Sequence, residues 1–249
     1  MKHPFIIALT IVFLAACRQE NKPLSAQEII DKSMLASGTA IVGNSKIAFE
    51  FRNKQYVSRR RKGRFNLERH TLNSTGKIKD VLSNNGFERY LNDVLLVIPD
   101  SMTTRYSGSV NSVHYFAALP NGLNDGAVKK KLLKSATIKG KTYYKIEIRF
   151  SEDGGGEDFD DVFVYWIDTI HFHIDYLAYT FHVNGGGKRF RAAKNPRSIE
   201  GVRFVDYDNY KPTDVNIQLE NLDAAFENSA LEKISEIALN NVRVTPFAD

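Results

Sequence analysis

The hydrophobic positions of the chain change period three times. Phe5 to Phe13 is an apolar run, interrupted only by Thr10, that follows the basic Lys2 and ends in Leu14-Ala15-Ala16-Cys17. After a polar stretch with Pro23, Ser25-Ala26-Gln27-Glu28 reads as a capping box; Ile29, Ile30 and Met34 then repeat at helical spacing up to Gly38. This pattern predicts one opening helix of about three turns. From residue 45 the period becomes two, with Ile47, Phe49 and Phe51 set against Lys46, Ala48 and Glu50, and Phe65 and Leu67 set against Arg64, Asn66 and Glu68. Such alternation marks half-buried strands. Lys62-Gly63 and Asn85-Gly86 supply the positive φ of tight hairpins, so successive strands should run antiparallel.

The alternation stops between Pro99 and Leu133. Val110 to Pro120 and Ala127 to Leu133 read as two short helices around a loop. Strands are expected again at Thr137–Ile138, Tyr143–Phe150, Asp161–Ile167, Ile170–Val183, Arg189–Ala193 and Gly201–Tyr207. A helical turn near Leu222–Phe226 and a last strand near Leu231–Leu239 close the chain, although Leu231, Ile234 and Ala238 also fit a helix. No solenoid or propeller repeat is visible. The expected fold is α+β: a single curled antiparallel sheet, an open half-barrel, with an N-terminal helix and a short helical insertion on one side. Its concave face is where a ligand would go.

The first apolar run is too short for the roughly 20 residues that span a bilayer, and it is basic only on its N-terminal flank, as in a secretory signal. Small residues followed by a cysteine at its end resemble the lipobox of bacterial lipoproteins, whose thiol carries diacylglycerol. The chain therefore divides into a signal peptide over 1–17, a tether over 18–25 and one half-barrel domain over 26–249. Lipidation is expected at Cys17. Two or three acyl chains, at about 0.8 kcal/mol per buried methylene, would make a lasting membrane anchor. Cys17 is the only cysteine, so the exported domain has no disulfide and no thiolate, and about 230 residues suffice for one continuous core.

The formal charge of +5 is mild. Export removes nucleic acid as a partner and leaves anionic lipid or polysaccharide. Arg59 to Arg64 reads as a solvated hairpin tip and Lys129-Lys130-Lys131 as a polar helix face.

Four groups could carry chemistry. His171, His173 and Asp175 stand at i, i+2 and i+4, a spacing that on one strand would present three ligands to zinc, though no His-Glu-x-x-His motif accompanies them. A solvated outer face is the plainer account, and no metal or other cofactor is expected. Arg189 and Arg191 share a strand face, and Arg203 and Asp206 lie on the next strand; the arginines could hold an anionic head group or form an internal network with Asp175 and Asp206. Strand Asp161–Ile167 is apolar on both faces, so it should be covered on both; Trp166 and, on the following strand, Tyr179 are its candidate aromatic lining for a ligand. His114, beside Tyr115 and Phe116, reads as a packed core histidine. Gly154–Gly156 and Gly185–Gly187 read as flexible hairpin connections and not phosphate loops.

The segments Val110 to Phe116, Leu119-Pro120 with Leu123-Asn124-Asp125, Gly154 to Phe159, Asp161 to Ile167, Asp175 to Tyr179, Arg189 to Arg191 and Phe204 to Tyr207 resemble a family of uncharacterised lipoproteins of Bacteroidetes-type envelopes that carries a domain of unknown function. The resemblance implies no activity; it suggests a lipid-anchored protein of the cell envelope, at the outer membrane. More distantly, the architecture is similar to the lipoprotein carriers LolA and LolB, whose half-barrel holds acyl chains. The expected function is thus a non-catalytic, membrane-anchored domain that binds a hydrophobic or amphipathic ligand, a lipid or acyl chain, in the concave face. Two alternatives stay open: an envelope enzyme, a metal-dependent hydrolase using His171, His173 and Asp175, and a module without a pocket that docks on another envelope protein.

Overall fold

A computed structural model describes residues 22–154, 159–182 and 185–248. The signal peptide, Cys17, the start of the tether, the end of the strand expected at Val183 and the middle of the first glycine run lie outside the described residues. Helix α1 (Ala26–Ala36) opens on the expected capping box: the Ser25 hydroxyl accepts from the Glu28 N–H, and the Ser25 N–H donates to the Glu28 carboxylate at 2.8 Å. Its buried stripe is Ile29, Ile30 and Ser33. A one-turn helix α2 (Thr39–Val42), absent from the sequence reading, follows directly.

Six strands come next, β1 (Ser45–Phe51), β2 (Lys54–Arg61), β3 (Arg64–Asn73), β4 (Gly76–Ser83), β5 (Gly86–Leu91) and β6 (Val94–Leu95), then helix α3 (Asp100–Ala117). Strands β7 (Val128–Ile138), β8 (Lys141–Phe150), β9 (Phe163–Asp168), β10 (Ile174–Phe181), β11 (Gly187–Ile199) and β12 (Val202–Pro212) follow. A 3-10 turn (Leu219–Asn221), helix α4 (Leu222–Glu227), β13 (Leu231–Ile237) and β14 (Asn240–Pro246) complete the chain.

The fold is the expected α+β half-barrel of curled antiparallel strands, unclosed and with few helices. Its hydrogen bonding runs in two seven-stranded halves: β14-β1-β2-β3-β4-β5-β6, the N-terminal sheet, and β13-β12-β11-β10-β9-β8-β7, the C-terminal sheet. The chain crosses between them twice, through α3 from β6 to β7 and directly from β13 to β14. Asp206, 7% exposed, fixes the second crossing: it accepts from the Leu239 N–H at 3.0 Å and from Arg197, whose guanidinium also reaches the Leu239 carbonyl at 2.6 Å.

The insertion differs from expectation. Instead of two short helices there is one of 18 residues, and Ala127–Leu133 is not helical but leads into edge strand β7. Lysine and leucine favour helix weakly, and seven residues of such preference lose to a full ladder with β8. Lys129-Lys130-Lys131 therefore sits on a sheet edge and not a helix face, where solvated lysines discourage pairing with another chain. The first half of α3 is rich in Ser, Thr and Gly, so its helical signal is poor; burial of Ser107, Val110 and His114 against the sheet supplies what propensity does not.

Helix α3 is fastened to the N-terminal sheet by charge. Asp80 is fully buried, 2.7 Å from Arg69 and 2.6 Å from Arg89. Arg69 also donates to the Ser109 hydroxyl of α3 at 2.7 Å, and Arg89 lies 3.4 Å over the ring of Tyr106. At the opposite side the α1–α2 corner rests on the β11–β12 turn. Gly38 takes φ +73, and a Cβ there would fall 2.1 Å from the Gly201 carbonyl oxygen. Removing the Asp80 carboxylate strands two buried guanidinium groups. Asp80→Ala is expected to cost about 3 to 5 kcal/mol, read as a lowered urea midpoint.

Candidate functional site

The concave face of the C-terminal sheet is set by strand parity. Ile146 and Ile148 of β8, Phe163, Tyr165 and Ile167 of β9 and Leu177 of β10 point inward and form one buried cluster with Ile29, Ile30 and Leu123. The convex face carries the other parity: Tyr143, Val164, Trp166, Ala178 and Phe190 pack under Leu222 and Ala225 of α4. Every residue of β9 is buried, because both of its faces are covered.

The inner face is filled by the protein itself. At the C-terminal end of α3, the Tyr115 hydroxyl meets that of Tyr165 at 2.6 Å, and the ring of Phe116 sits 5.1 Å from that of Tyr179. Directly beneath Phe116 is Arg191, its guanidinium 3.8 Å from the ring centre and donating to the Tyr179 hydroxyl at 2.7 Å. Burial pushes the phenols of Tyr115 and Tyr165 well above their ordinary value. It pushes that of Tyr207 up to about 12, against the pull of Arg191 and Arg203. These phenols are neutral hydrogen-bonding groups and not bases at neutral pH. Two open hollows lie elsewhere: about 390 Å³ on the convex face beside Lys145 and Asp223, and about 240 Å³ beside Phe181 and Val215.

A family of unknown function, DUF6503, matches residues 2–238. The chain belongs to that family. No match was found among curated proteins. Among solved structures, this DUF6503 chain is similar to a LolA superfamily protein from Nitrosomonas europaea, with 12% identity over 91% of this chain and 96% of that one and a TM-score of 0.51. It is also similar to a DUF1329 family protein from Desulfovibrio piger, with 11% identity, 88% and 92% coverage and a TM-score of 0.44. A third is a putative outer membrane lipoprotein-sorting protein domain from Vibrio parahaemolyticus, with 8% identity, 90% and 95% coverage and a TM-score of 0.38. The first likeness establishes a LolA-like fold.

Within that fold the DUF6503 chain distributes its candidate residues unevenly. Arg191, Tyr179 and Arg189 share the concave face; Arg189 stacks on Phe181 at 4.5 Å and donates to the Lys188 carbonyl. Trp166 is fully buried but on the convex face, 5.5 Å from Phe190 and a sheet's thickness away from Arg191. It does not line the concavity. Strand parity already opposed it to Tyr165, which with Tyr115 and Phe116 is the aromatic group the sequence reading passed over. Arg203 is spent on Asp175 at 3.3 Å and on the Ile174 carbonyl.

His171 and His173 lie in the turn between β9 and β10, not on a strand, so the supposed i, i+2, i+4 array does not exist. Asp168 folds this turn by accepting from the N–H groups of Ile170 and His171 at 2.7 and 2.6 Å. The two rings stack 6.1 Å apart, while Asp175 turns to Arg203 and Tyr143. Among the described residues the side chains of metal-ligand type that do meet are Asp160, Asp161 and His182. An ion pair of His182 with Asp161 at 3.0 Å and Asp160 at 3.3 Å accounts for that geometry.

His114 occupies the core position expected of it. It is 2% exposed, edge-on to Phe49 and Tyr56, with Nε2 3.0 Å from the Glu68 carbonyl. Burial lowers its pKa to about 4, against the pull of that carbonyl and with the help of Arg60. An unfolded chain protonates this histidine near pH 6.5, so stability is full above that pH and falls on acidification toward 4. The loss amounts to ~3 kcal/mol. Denaturant unfolding between pH 7 and pH 4 is expected to show this slope, and His114→Gln to flatten it.

Proposed function

We propose that this chain is a lipid-anchored protein of the bacterial envelope, acylated at Cys17 and held at the outer membrane, which carries a hydrophobic or amphipathic ligand in the concave face of its half-barrel. The observation that supports this most directly is the composition of that face. It is an apolar and aromatic surface on an unclosed sheet, and what covers it is α1, the end of α3 and the loop around Leu123 rather than a second sheet. A ligand takes the place of Tyr115 and Phe116, whose contacts inside are aromatic faces, one phenol pair and one guanidinium. Acyl chains satisfy such a surface because they replace one apolar contact with another.

The phenols of the concave face, raised by burial, neither accept nor release protons at neutral pH, which supports binding over proton transfer by these groups.

Cys17→Ser is expected to release the protein into the soluble fraction and to abolish labelling with a palmitate analogue; a variant that stays labelled and membrane-bound refutes the anchor. Native mass spectrometry of the protein expressed in a bacterial envelope is expected to show a co-purifying amphiphile of several hundred daltons. A spectrum of the bare polypeptide under conditions that retain lipid on a known carrier refutes the ligand.

A further inference from the structure

Among the described residues the buried cations Arg69 and Lys145 are matched to acids and Arg191 is not, while the partly exposed Arg60 and Arg189 also lack an ion pair. Arg69 and Arg89 share Asp80, Arg203 has Asp175, Arg197 has Asp206, Lys145 has Asp223 and Lys194 has Asp208. Arg191 has no ion pair among the described residues. Yet it is only 8% exposed, in the middle of β11, beside Leu177 of β10 in the ladder. Its hydrogen bond goes to the Tyr179 hydroxyl, its Nε is buried without a hydrogen-bond partner, and it packs against the rings of Phe116, Tyr179 and Tyr207 with Leu177 and Asn209 beside it in the ladder. Aromatic faces offset part of the cost of burying a guanidinium. They supply no counter-charge, and most of its N–H donors stay free beside the one spent on Tyr179.

We infer that Arg191 is the head-group anchor of the concave site, and that the ligand is an amphiphile bearing a single negative charge, a fatty carboxylate or a phosphodiester lipid. The inference rests on the proposal that an apolar ligand occupies this face, and it adds the ligand's charge and the atom that recognises it. A carboxylate or phosphodiester accepts from the guanidinium fork bidentately and supplies the counter-charge the protein lacks there. The tail then runs over Tyr165, Phe163 and Ile148, the surface that the end of α3 now covers. One charge suffices, because the neighbouring Arg189 is turned to Phe181 and to the Lys188 carbonyl. Phe116, at 3.8 Å over the guanidinium, stands where the head group has to enter.

The test uses the intact chain in a nonionic maltoside micelle, with cis-parinaric acid and its methyl ester as fluorescent probes and protein-free micelles as the control for partitioning. Wild type is expected to bind the acid ~10-fold or more tightly than the ester, the ratio that one charge-assisted bidentate contact confers. Arg191→Met is expected to bring the acid down to the ester's affinity, and Arg191→Lys, which keeps the charge without the fork, to give an intermediate ratio. Given an acid preference, displacement of parinarate by lysophosphatidylglycerol supports a phosphodiester head, and failure to displace supports a carboxylate. Equal binding of acid and ester by wild type overturns the anchor while leaving the apolar site standing. An acid preference that survives unchanged in Arg191→Met also overturns it. Should that variant not fold, the wild-type ratio and the Arg191→Lys ratio decide. Binding of neither probe refutes the apolar site itself, and the anchor with it.

Discussion

The buried carboxylate of Asp206 pins the two sheets together where the chain passes directly from one to the other. The two seven-stranded sheets share no ladder, and besides α3 they are joined by the direct passage of the chain from β13 into β14. That passage is an irregular stretch of backbone beside a buried core, where unpaired N–H and C=O groups are costly. Asp206 and Arg197 satisfy them together, one accepting from the Leu239 N–H and the other donating to its carbonyl. Because Leu239 is thereby held against Val202, Phe204 and Ile47, the core of the N-terminal sheet continues into the C-terminal one. Without that pin the sheets could splay and the inner face would lose its concavity.

Curvature in turn decides what the two faces of the C-terminal sheet can hold. The convex side is closed by a short cover, α4, drawn down by the 2.9 Å ion pair of Asp223 with Lys145 and by Lys145's bond to the Glu220 carbonyl. Trp166 and Phe190 beneath it have no route to solvent. The concave side is wider than one helix, and α1, the end of α3 and the loop around Leu123 fill it jointly. Of these pieces the end of α3 brings the aromatic tips, Tyr115 and Phe116, and Phe116 lies over Arg191.

Much of this was legible in the sequence because strands carry a local signature. The capping box at Ser25 and Glu28, the hairpin at Lys62-Gly63 and the double-sided burial of β9 all follow from residues close together in the chain. What was not legible depended on partners far away. Ala127 to Leu133 has the composition of a helix and belongs to a strand because β8 offers it a ladder. His171 and His173 have the spacing of one strand face, but Asp168 pulls them into a turn. The arginines were grouped correctly by parity; which of them would find a carboxylate was not readable, since Arg203 reaches Asp175 across 28 positions and Arg191 finds none. Trp166 failed as a lining residue for a local reason, since parity alone places it opposite Tyr165.

The contrast between the two ends of α3 bears on how such a cover could yield. Its middle is bound to the N-terminal sheet through Ser109 and Tyr106, which answer to a buried aspartate with two arginines, and through His114, hydrogen-bonded to the β3 backbone. Displacing that part means exposing a buried charge network. Its last turn is held differently, by ring contacts of Tyr115 and Phe116 and by a phenol–phenol bond that water or a ligand hydroxyl can replace. Apolar contacts are non-directional, so a hydrocarbon chain of similar bulk restores most of what their loss removes. The helix is therefore anchored where the chemistry is specific and exchangeable where it is not. The exchangeable turn is the one that lies over the unpaired guanidinium.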